Sequence, residues 1–126
     1  MSQAVHYVSV ALGGALGASF RYAINLGLAS SIDKLPAATL LVNVLGSFMA
    51  GFLTTWFLHR SFGNISLQLF LTVGFLGAFT TFSAFSVETM RLFEAGHLGS
   101  ALANVLLNLL ACLLAVFIGA AAARLV

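Results

Sequence analysis

The chain has 126 residues, of which 61% are hydrophobic and 6% are charged. Soluble domains carry about 25% charged residues, so this composition excludes an ordinary water-soluble globule and favours lipid as the solvent. The length allows one domain, residues 1–126, and the thinly spread net charge of +2 gives no basic cluster for nucleic acid.

The first apolar stretch extends from about Val5 to Ala29. A bilayer core of about 30 Å requires about 20 apolar residues in helix. The stretch is too long for the core of a signal peptide, and residues 1–4 contain no Lys or Arg, so we predict a retained membrane helix. Gly13 and Gly17 form a G-x-x-x-G step, which favours close contact with another helix.

The second apolar stretch extends from about Ala37 to Leu58 and carries two polar residues, Asn43 and Ser47, one helical turn apart. Polar groups inside a membrane are costly and are typical of functional or helix-bonding positions. Gly46 and Ala50 form a second step of small residues and suggest a further helix contact.

The third stretch, from about Leu67 to Phe93, is the least ordinary. Gly74 and Gly77 precede the paired Thr80 and Thr81; glycine weakens a helix, and threonine is stiff and can bond back to the chain. The pattern predicts a break between Gly77 and Thr81. Carbonyls freed at such a break could form a cation site.

Two phenylalanines follow the predicted break, Phe82 and Phe85, at a spacing that places them on one helix face. A phenyl ring is negative on its face and positive on its edge. Two ring edges beside an asparagine NH₂ could therefore meet a small anion without a full positive charge. The alternative is that these rings simply face lipid.

The fourth stretch extends from about Leu98 to Ala123, and its polar residues Asn104, Asn108 and Cys112 recur every fourth position. They lie on one stripe of a helix. Such a stripe can hydrogen-bond neighbouring helices or line a wet path, and the pattern leaves both open. Gly96 precedes this helix and is expected to cap the end of the third.

The basic residues are nearly balanced across the predicted membrane. With four crossings, Arg60 and Arg124 lie on one side, and Lys34 and Arg91 lie on the other, with Arg21 able to reach the Lys34 side. Orientation is normally set by an excess of Lys and Arg in the cytoplasm. The balance predicts that the chain inserts either way up and can pair with its inverted copy.

The sequence offers little for catalysis. No catalytic triad, zinc motif or nucleotide loop is present, so we expect a protein that is not an enzyme. No carboxylate lies near a helix centre, the nearest being Glu88, whereas proton-coupled transporters rely on a membrane-embedded acid or histidine.

Three segments together resemble the Fluc (CrcB) family of fluoride channels. The third-helix segment is Gly74-Phe75-Leu76-Gly77-Ala78-Phe79-Thr80-Thr81-Phe82-Ser83-Ala84-Phe85-Ser86, followed by Glu88. The first-helix segment is Gly13-Gly14-Ala15-Leu16-Gly17-Ala18 with Arg21-Tyr22, and the second-helix segment comprises Thr39-Leu40, Val42-Asn43 and Gly46-Ser47-Phe48. The length and four-helix plan agree over the whole chain.

The resemblance implies an all-α membrane protein with four transmembrane helices, the third broken, assembled as an antiparallel dual-topology homodimer. It implies two anion pores at the subunit interface, passive conduction of fluoride, one structural sodium ion at the dimer centre, and residence in the plasma (inner) membrane of a microbial cell. A heterodimer with a paralogous chain stays open.

Site roles follow from the same resemblance. Asn43 would meet the anion through its NH₂, Phe82 and Phe85 would face it from opposing subunits with their ring edges, and Ser83 would belong to a neighbouring track of polar groups. The backbone carbonyls of Gly77 and Thr80 would hold the sodium ion.

The fourth helix departs from the family pattern. Family members often place Tyr and Ser where this chain has Asn104 and Asn108; both asparagines can hydrogen-bond, so a polar track is expected to survive. Two other interpretations stay open. A small multidrug exporter has a similar plan but relies on a glutamate in its first helix, and none occurs here. A non-transporting membrane scaffold is the third.

Overall fold

The computed structural model describes residues 3–28, 35–60 and 63–126, and within these ranges it is helical with short connections. The elements are α1 (Gln3–Gly27), α2 (Ala37–His59), α3 (Ile65–Leu69), a π-helical segment (Phe70–Leu76), α4 (Gly77–Phe79), α5 (Phe82–Glu94) and α6 (Leu98–Ala123). The elements from α3 to α5 together form one long, interrupted segment.

Among the described residues, three segments are long and apolar enough to cross a membrane: Ala37–His59, Ile65–Glu94 and Leu98–Ala123. The first helix, α1, has 25 residues and therefore sufficient length, but it is more polar, with Arg21 and Asn25 in its second half. It packs alongside the interrupted segment. The four predicted helices are thus present.

The predicted ends are close to the observed ones. The third segment begins at Ile65, two residues before the predicted Leu67, because the side chain of Asn64 caps it by accepting a hydrogen bond of 3.0 Å from the Leu67 amide. The predicted end of the first helix at Ala29, and Lys34 in the following connection, lie outside the described residues.

The break in the third segment is confirmed. Thr80 and Thr81 are extended, with ψ angles of 156° and 115°, between α4 and α5. The side chain of Thr81 then caps α5 by accepting a hydrogen bond of 3.1 Å from the Ala84 amide. The interruption thus has its own local bonds, which irregular backbone at membrane depth requires.

Glycines bring the helices to backbone contact. Gly13 and Gly17 of α1 lie so close to the π-helical segment that a Cβ on either would clash with the carbonyl of Phe70 or Phe75. The predicted G-x-x-x-G contact is therefore confirmed. On the other side of the molecule α2 packs along α6, where Gly51 meets the carbonyl of Val116. 

Of the second small-residue step, Gly46 and Ala50, only Gly46 lies close to another helical segment. Gly46 lies against the side chain of Thr80, whereas Ala50 lines an open groove. After α5, Gly96 has a φ of 80°, a conformation that disfavours residues with a Cβ. The His97 amide then bonds back to Leu92, which ends the helix as predicted.

Candidate functional site

The broken backbone at Thr81 is held by the side chain of Asn43. The Asn43 Oδ1 accepts from the Thr81 amide at 2.8 Å, and the Asn43 NH₂ donates to the Thr81 carbonyl at 3.1 Å. The amide group of Asn43 therefore satisfies both polar groups of one extended residue. Buried backbone groups need such partners, so this pairing allows the helix to stop at this depth.

The carbonyls of Gly77 and Thr80 are among those that lose their usual helical donors at the break. In an unbroken helix the Gly77 carbonyl would accept from the amide of Thr81, and the Thr80 carbonyl from that of Ala84. The Thr81 amide instead donates to Asn43, and the Ala84 amide donates to the Thr81 hydroxyl. Both freed oxygens belong to residues that line the groove.

This oxygen set fits a hard cation. Alkali and alkaline-earth ions prefer oxygen ligands, and unwound helix carbonyls commonly supply them to sodium. Two carbonyls from one chain are too few for a complete coordination shell, so further oxygen ligands would be needed. The side chains of the described ranges offer no cluster of three metal-ligating groups.

A chain of hydrogen bonds continues from Asn43 into α6. The second NH₂ bond of Asn43 is donated to Asn108 Oδ1 at 3.1 Å, and the Asn108 NH₂ donates to Asn104 Oδ1 at 3.0 Å. Asn104 donates to the Thr89 hydroxyl at 2.9 Å, and Thr89 donates to the Phe85 carbonyl at 2.8 Å. The polar stripe of the fourth helix therefore bonds to neighbouring helices.

The two predicted rings are adjacent but differ in exposure. Phe82 and Phe85 have ring centroids 5.1 Å apart at an angle of 57°. Phe85 is 7% exposed and packed within the chain, whereas Phe82 is 72% exposed. An exposed ring next to a polar break requires a further surface to cover it, either lipid or protein.

An open groove of about 560 Å³ joins these features. Six of the eight predicted site residues line it, and they come from α2, α6 and both sides of the break: Asn43, Gly77, Thr80, Phe82, Phe85 and Asn108. The other two, Ser83 and Asn104, do not line it. The Ser83 hydroxyl lies 3.2 Å from that of Thr81, and Asn104 is almost fully buried behind the groove.

Sequence reasoning missed two polar contacts near the site. Thr39 donates to Glu88 Oε1 at 2.6 Å, while Glu88 Oε2 is buried without a hydrogen-bond partner in the described part of the chain. Thr89 is the other omission. A signal for Thr39 was present, because it precedes Asn43 by four residues and so lies on the same face of α2.

The residues that line the groove carry amides, hydroxyls and phenyl rings, and none of them is ionised. Such groups can replace part of an ion's hydration shell without binding it as tightly as a full opposite charge would. The arrangement therefore suits passage of a small ion better than a chemical reaction.

Comparison with known proteins identifies the same class. Residues 8–120 match the family model described as CrcB-like protein, Camphor Resistance (CrcB). A protein of Dehalococcoides mccartyi strain CBDB1 named fluoride-specific ion channel FluC is 50% identical over 112 residues, covering 88% of this chain and 86% of the relative.

More distant relatives carry the same name. The protein of Legionella pneumophila strain Paris is 45% identical over 119 residues, 94% of this chain and 89% of its own length. The protein of Ruminiclostridium cellulolyticum is 41% identical, and the match covers 94% of this chain and 92% of the relative. These relatives are named as channels and not as enzymes. This multi-pass, helical chain belongs to the CrcB-like family of membrane ion channels.

Proposed function

We propose that this chain conducts fluoride passively and lowers the fluoride concentration of the cytoplasm. The observation that carries the proposal is the groove in which Asn43, the helix break and the Phe82–Phe85 pair meet. The names of the relatives support the same ion. The proposed location is the plasma (inner) membrane of a microbial cell, with α1 as the fourth crossing.

The proposed assembly is an antiparallel homodimer with two pores at its interface. One chain of 126 residues is small for a channel, and the groove is open on one side. The exposed Phe82 and the open space around Gly77 lie on that side. A second, inverted copy would cover both and would supply the opposing rings.

The freed carbonyls of Gly77 and Thr80 are the proposed ligands of a structural sodium ion shared by the two copies. When bound, the ion would hold the two breaks together by its charge. The side chain of Thr80 is not part of the proposed ligand set, and its hydroxyl donates to the Leu76 carbonyl at 2.9 Å.

The proposed path uses neutral donors in place of charge. Fluoride is small and strongly hydrated, so a pore must replace its water and still release it. The ring edges of Phe82 and Phe85 would supply positive potential, and Asn43 with Ser83 and Asn108 would supply N–H and O–H donors. In the single chain both Asn43 N–H bonds are internal, so a passing anion would compete with the Thr81 carbonyl and Asn108 for them.

Fluoride efflux from liposomes tests the proposal directly. Purified protein is expected to release trapped fluoride without a proton gradient and to release chloride far more slowly. An ion-selective electrode measures both. A folded protein that releases no more fluoride than protein-free liposomes would refute the channel, and proton-coupled uptake of a lipophilic cation would instead indicate an exporter.

Two substitutions test the site. Phe82→Ile removes the ring edge, and Asn43→Asp replaces a donor with an acceptor, so each is expected to reduce efflux to the protein-free rate. Phe117→Ile is the matched control, because Phe117 is similarly exposed, at 71%, on α6 away from the groove. Size-exclusion chromatography should give the same oligomer for all variants. Normal efflux from both site variants would contradict the assignment.

A further inference from the structure

The rotation of α5 about its own axis is not fixed by the helix before it. Thr80 and Thr81 are extended, so the continuous hydrogen-bond ladder of the third segment stops before α5 begins. The Thr81 contacts with Asn43 hold only the first turn of this 13-residue helix. Because a helix rotates as one unit, bonds from other helices further along α5 also contribute to the orientation of this first turn, which carries Phe82 and Phe85.

That rotation decides where the two rings point. Phe82, Phe85 and Thr89 are spaced at i, i+3 and i+7, which places them on one face of α5. Any bond that fixes the direction of Thr89 consequently fixes the direction of the ring face as well. Thr89 also donates to the carbonyl of Phe85, one turn earlier on the same stripe.

Asn104 provides such a bond from α6. Its NH₂ donates to the Thr89 hydroxyl at 2.9 Å, and its Oδ1 accepts from Asn108 at 3.0 Å. Asn104 is only 1% exposed and is not among the residues that line the groove. Its contacts are thus to polar side chains of the protein, and it is directed at α5 rather than at the ion path.

A second bond holds α5 to α2. Thr39 donates to Glu88, the neighbour of Thr89, at 2.6 Å. One sideways contact would let the helix pivot about it, whereas contacts to two different helices oppose rotation in either direction. Within the described residues, removal of the Asn104 bond would leave α5 beyond its first turn with the Thr39–Glu88 hydrogen bond and with apolar packing such as that of the buried Leu92.

We propose that Asn104 is a positioning residue for the ring pair: through Thr89 it sets the rotation of α5 and so the orientation of Phe85 and Phe82. The functional consequence rests on the proposed function, since ring orientation matters for flux only if the rings meet fluoride. The structural consequence is independent of it. Linked hydrogen bonds in a low-dielectric interior reinforce one another, which strengthens this contact.

Fluorine NMR of the labelled ring tests the orientation without measuring flux. The protein is purified in its own oligomeric state with 4-fluorophenylalanine at position 85 as the only fluorine label. Thr89→Val, which keeps the shape of the side chain and removes its hydroxyl, is expected to move or broaden the resonance. Asn104→Leu should have the same effect, and Thr89→Ser, which restores the hydroxyl, should return the resonance to its original position.

Ser86→Ala is the matched control for this experiment. The Ser86 hydroxyl donates to the Phe82 carbonyl at 2.9 Å, as Thr89 does to Phe85, but it is exposed and no bond of Asn104 reaches it. The resonance should therefore stay unchanged. If Thr89→Val moves the resonance no more than Ser86→Ala does, the proposal is wrong.

The double variant separates positioning from a general loss of packing. Both substitutions remove the Asn104–Thr89 bond, so Asn104→Leu should move the resonance clearly less in the Thr89→Val background than in the unmodified protein; each also removes one bond of its own, to the Phe85 carbonyl and from Asn108 respectively. An equal effect of Asn104→Leu with and without the Thr89 hydroxyl would overturn the proposal. If Asn104→Leu does not fold, Asn104→Ser, whose shorter side chain removes the NH₂ donor, takes its place in both comparisons.

Fluoride efflux from liposomes tests the functional consequence of the proposal. Thr89→Val is expected to slow fluoride efflux about tenfold, the scale of one lost neutral hydrogen bond, while the oligomer stays intact. A changed resonance with no fluoride efflux from the unmodified protein would refute the proposed function and leave the positioning role supported. An unchanged resonance would refute the positioning role whatever the flux.

Discussion

Where the helix stops, the side-chain amide of Asn43 forms the hydrogen bonds that a backbone peptide group would otherwise form. Its Oδ1 and NH₂ bond both polar atoms of Thr81, and its remaining N–H reaches Asn108. Asparagine suits this position because it carries a donor and an acceptor on one planar group. Leucine of similar size would leave both Thr81 groups unsatisfied in the interior, which costs about 1–3 kcal/mol for each group.

Gly46 offers a test of packing at the break. A Cβ at this position would clash with the methyl group of Thr80 and lie 3.4 Å from the ring of Phe79. Gly46→Ala is therefore expected to destabilise the protein by about 1–3 kcal/mol, the usual cost of overpacking, and to slow efflux. Thermal unfolding in detergent measures the loss.

Thr80→Ser supplies the control for that variant. Serine lacks the clashing methyl group but keeps the hydroxyl that donates to Leu76 and the carbonyl proposed to bind sodium. Thr80→Ser alone should be close to neutral, and the double variant Gly46→Ala with Thr80→Ser should recover most of the lost stability. Additive losses in the double variant would contradict the contact.

The third segment shows which elements the sequence predicts and why. Glycines followed by two threonines predicted the interruption, because those residues weaken helices through local properties. The π-helical segment Phe70–Leu76 was not predicted, since its apolar composition is equally typical of α-helix. Its geometry accompanies a tertiary contact, the close approach of α1 at Gly13, which no local pattern encodes.

The glycines of α1 can be distinguished by experiment. Gly17→Ala would force a Cβ into the carbonyl of Phe75, whereas a Cβ on Gly14 would have its nearest neighbour at 3.9 Å, an ordinary contact. Gly17→Ala is expected to lower stability by about 1–3 kcal/mol and to reduce efflux. Gly14→Ala is the control and should leave the unfolding temperature nearly unchanged; equal losses in the two variants would refute the packing.

At the scale of the whole molecule, the charge balance of the sequence and the open groove of the fold support the same proposed assembly. The plan of four helices, the break and six of the residues that line the groove could be predicted from the sequence, because they depend on hydropathy, local propensity and a family pattern. The bonds of Asn104 could not, since the polar stripe of α6 was compatible with a wet path or with interhelical bonds. Only the three-dimensional position of Thr89 distinguishes these cases for that residue.

Dual topology is testable by adding charge. Extra lysines at Gly63 and Leu125 would bias one orientation, and extra lysines at Leu28 and Ala95 the other, because cytoplasmic ends attract Lys and Arg. All four positions are exposed and lie near helix ends. Each biased variant alone is expected to give little fluoride resistance in cells, and the two expressed together should restore it.

A parallel assembly predicts a different pattern. One biased variant would then work alone, and co-expression would add nothing to it. Cysteine accessibility from each side of the membrane confirms the orientations in the same cells, with the single native Cys112 replaced by Ala beforehand.

At the break between α4 and α5, a helix C-terminus with partial negative charge and a helix N-terminus with partial positive charge lie close together. The chain leaves α4 with free carbonyls, which form the negative end of a helix, and enters α5 with amides, which form the positive end of the next. The negative end suits a cation and the positive end suits an anion. A single interruption of the backbone thus offers complementary surroundings to a cation and to an anion, with no ionised side chain among the residues that line the groove.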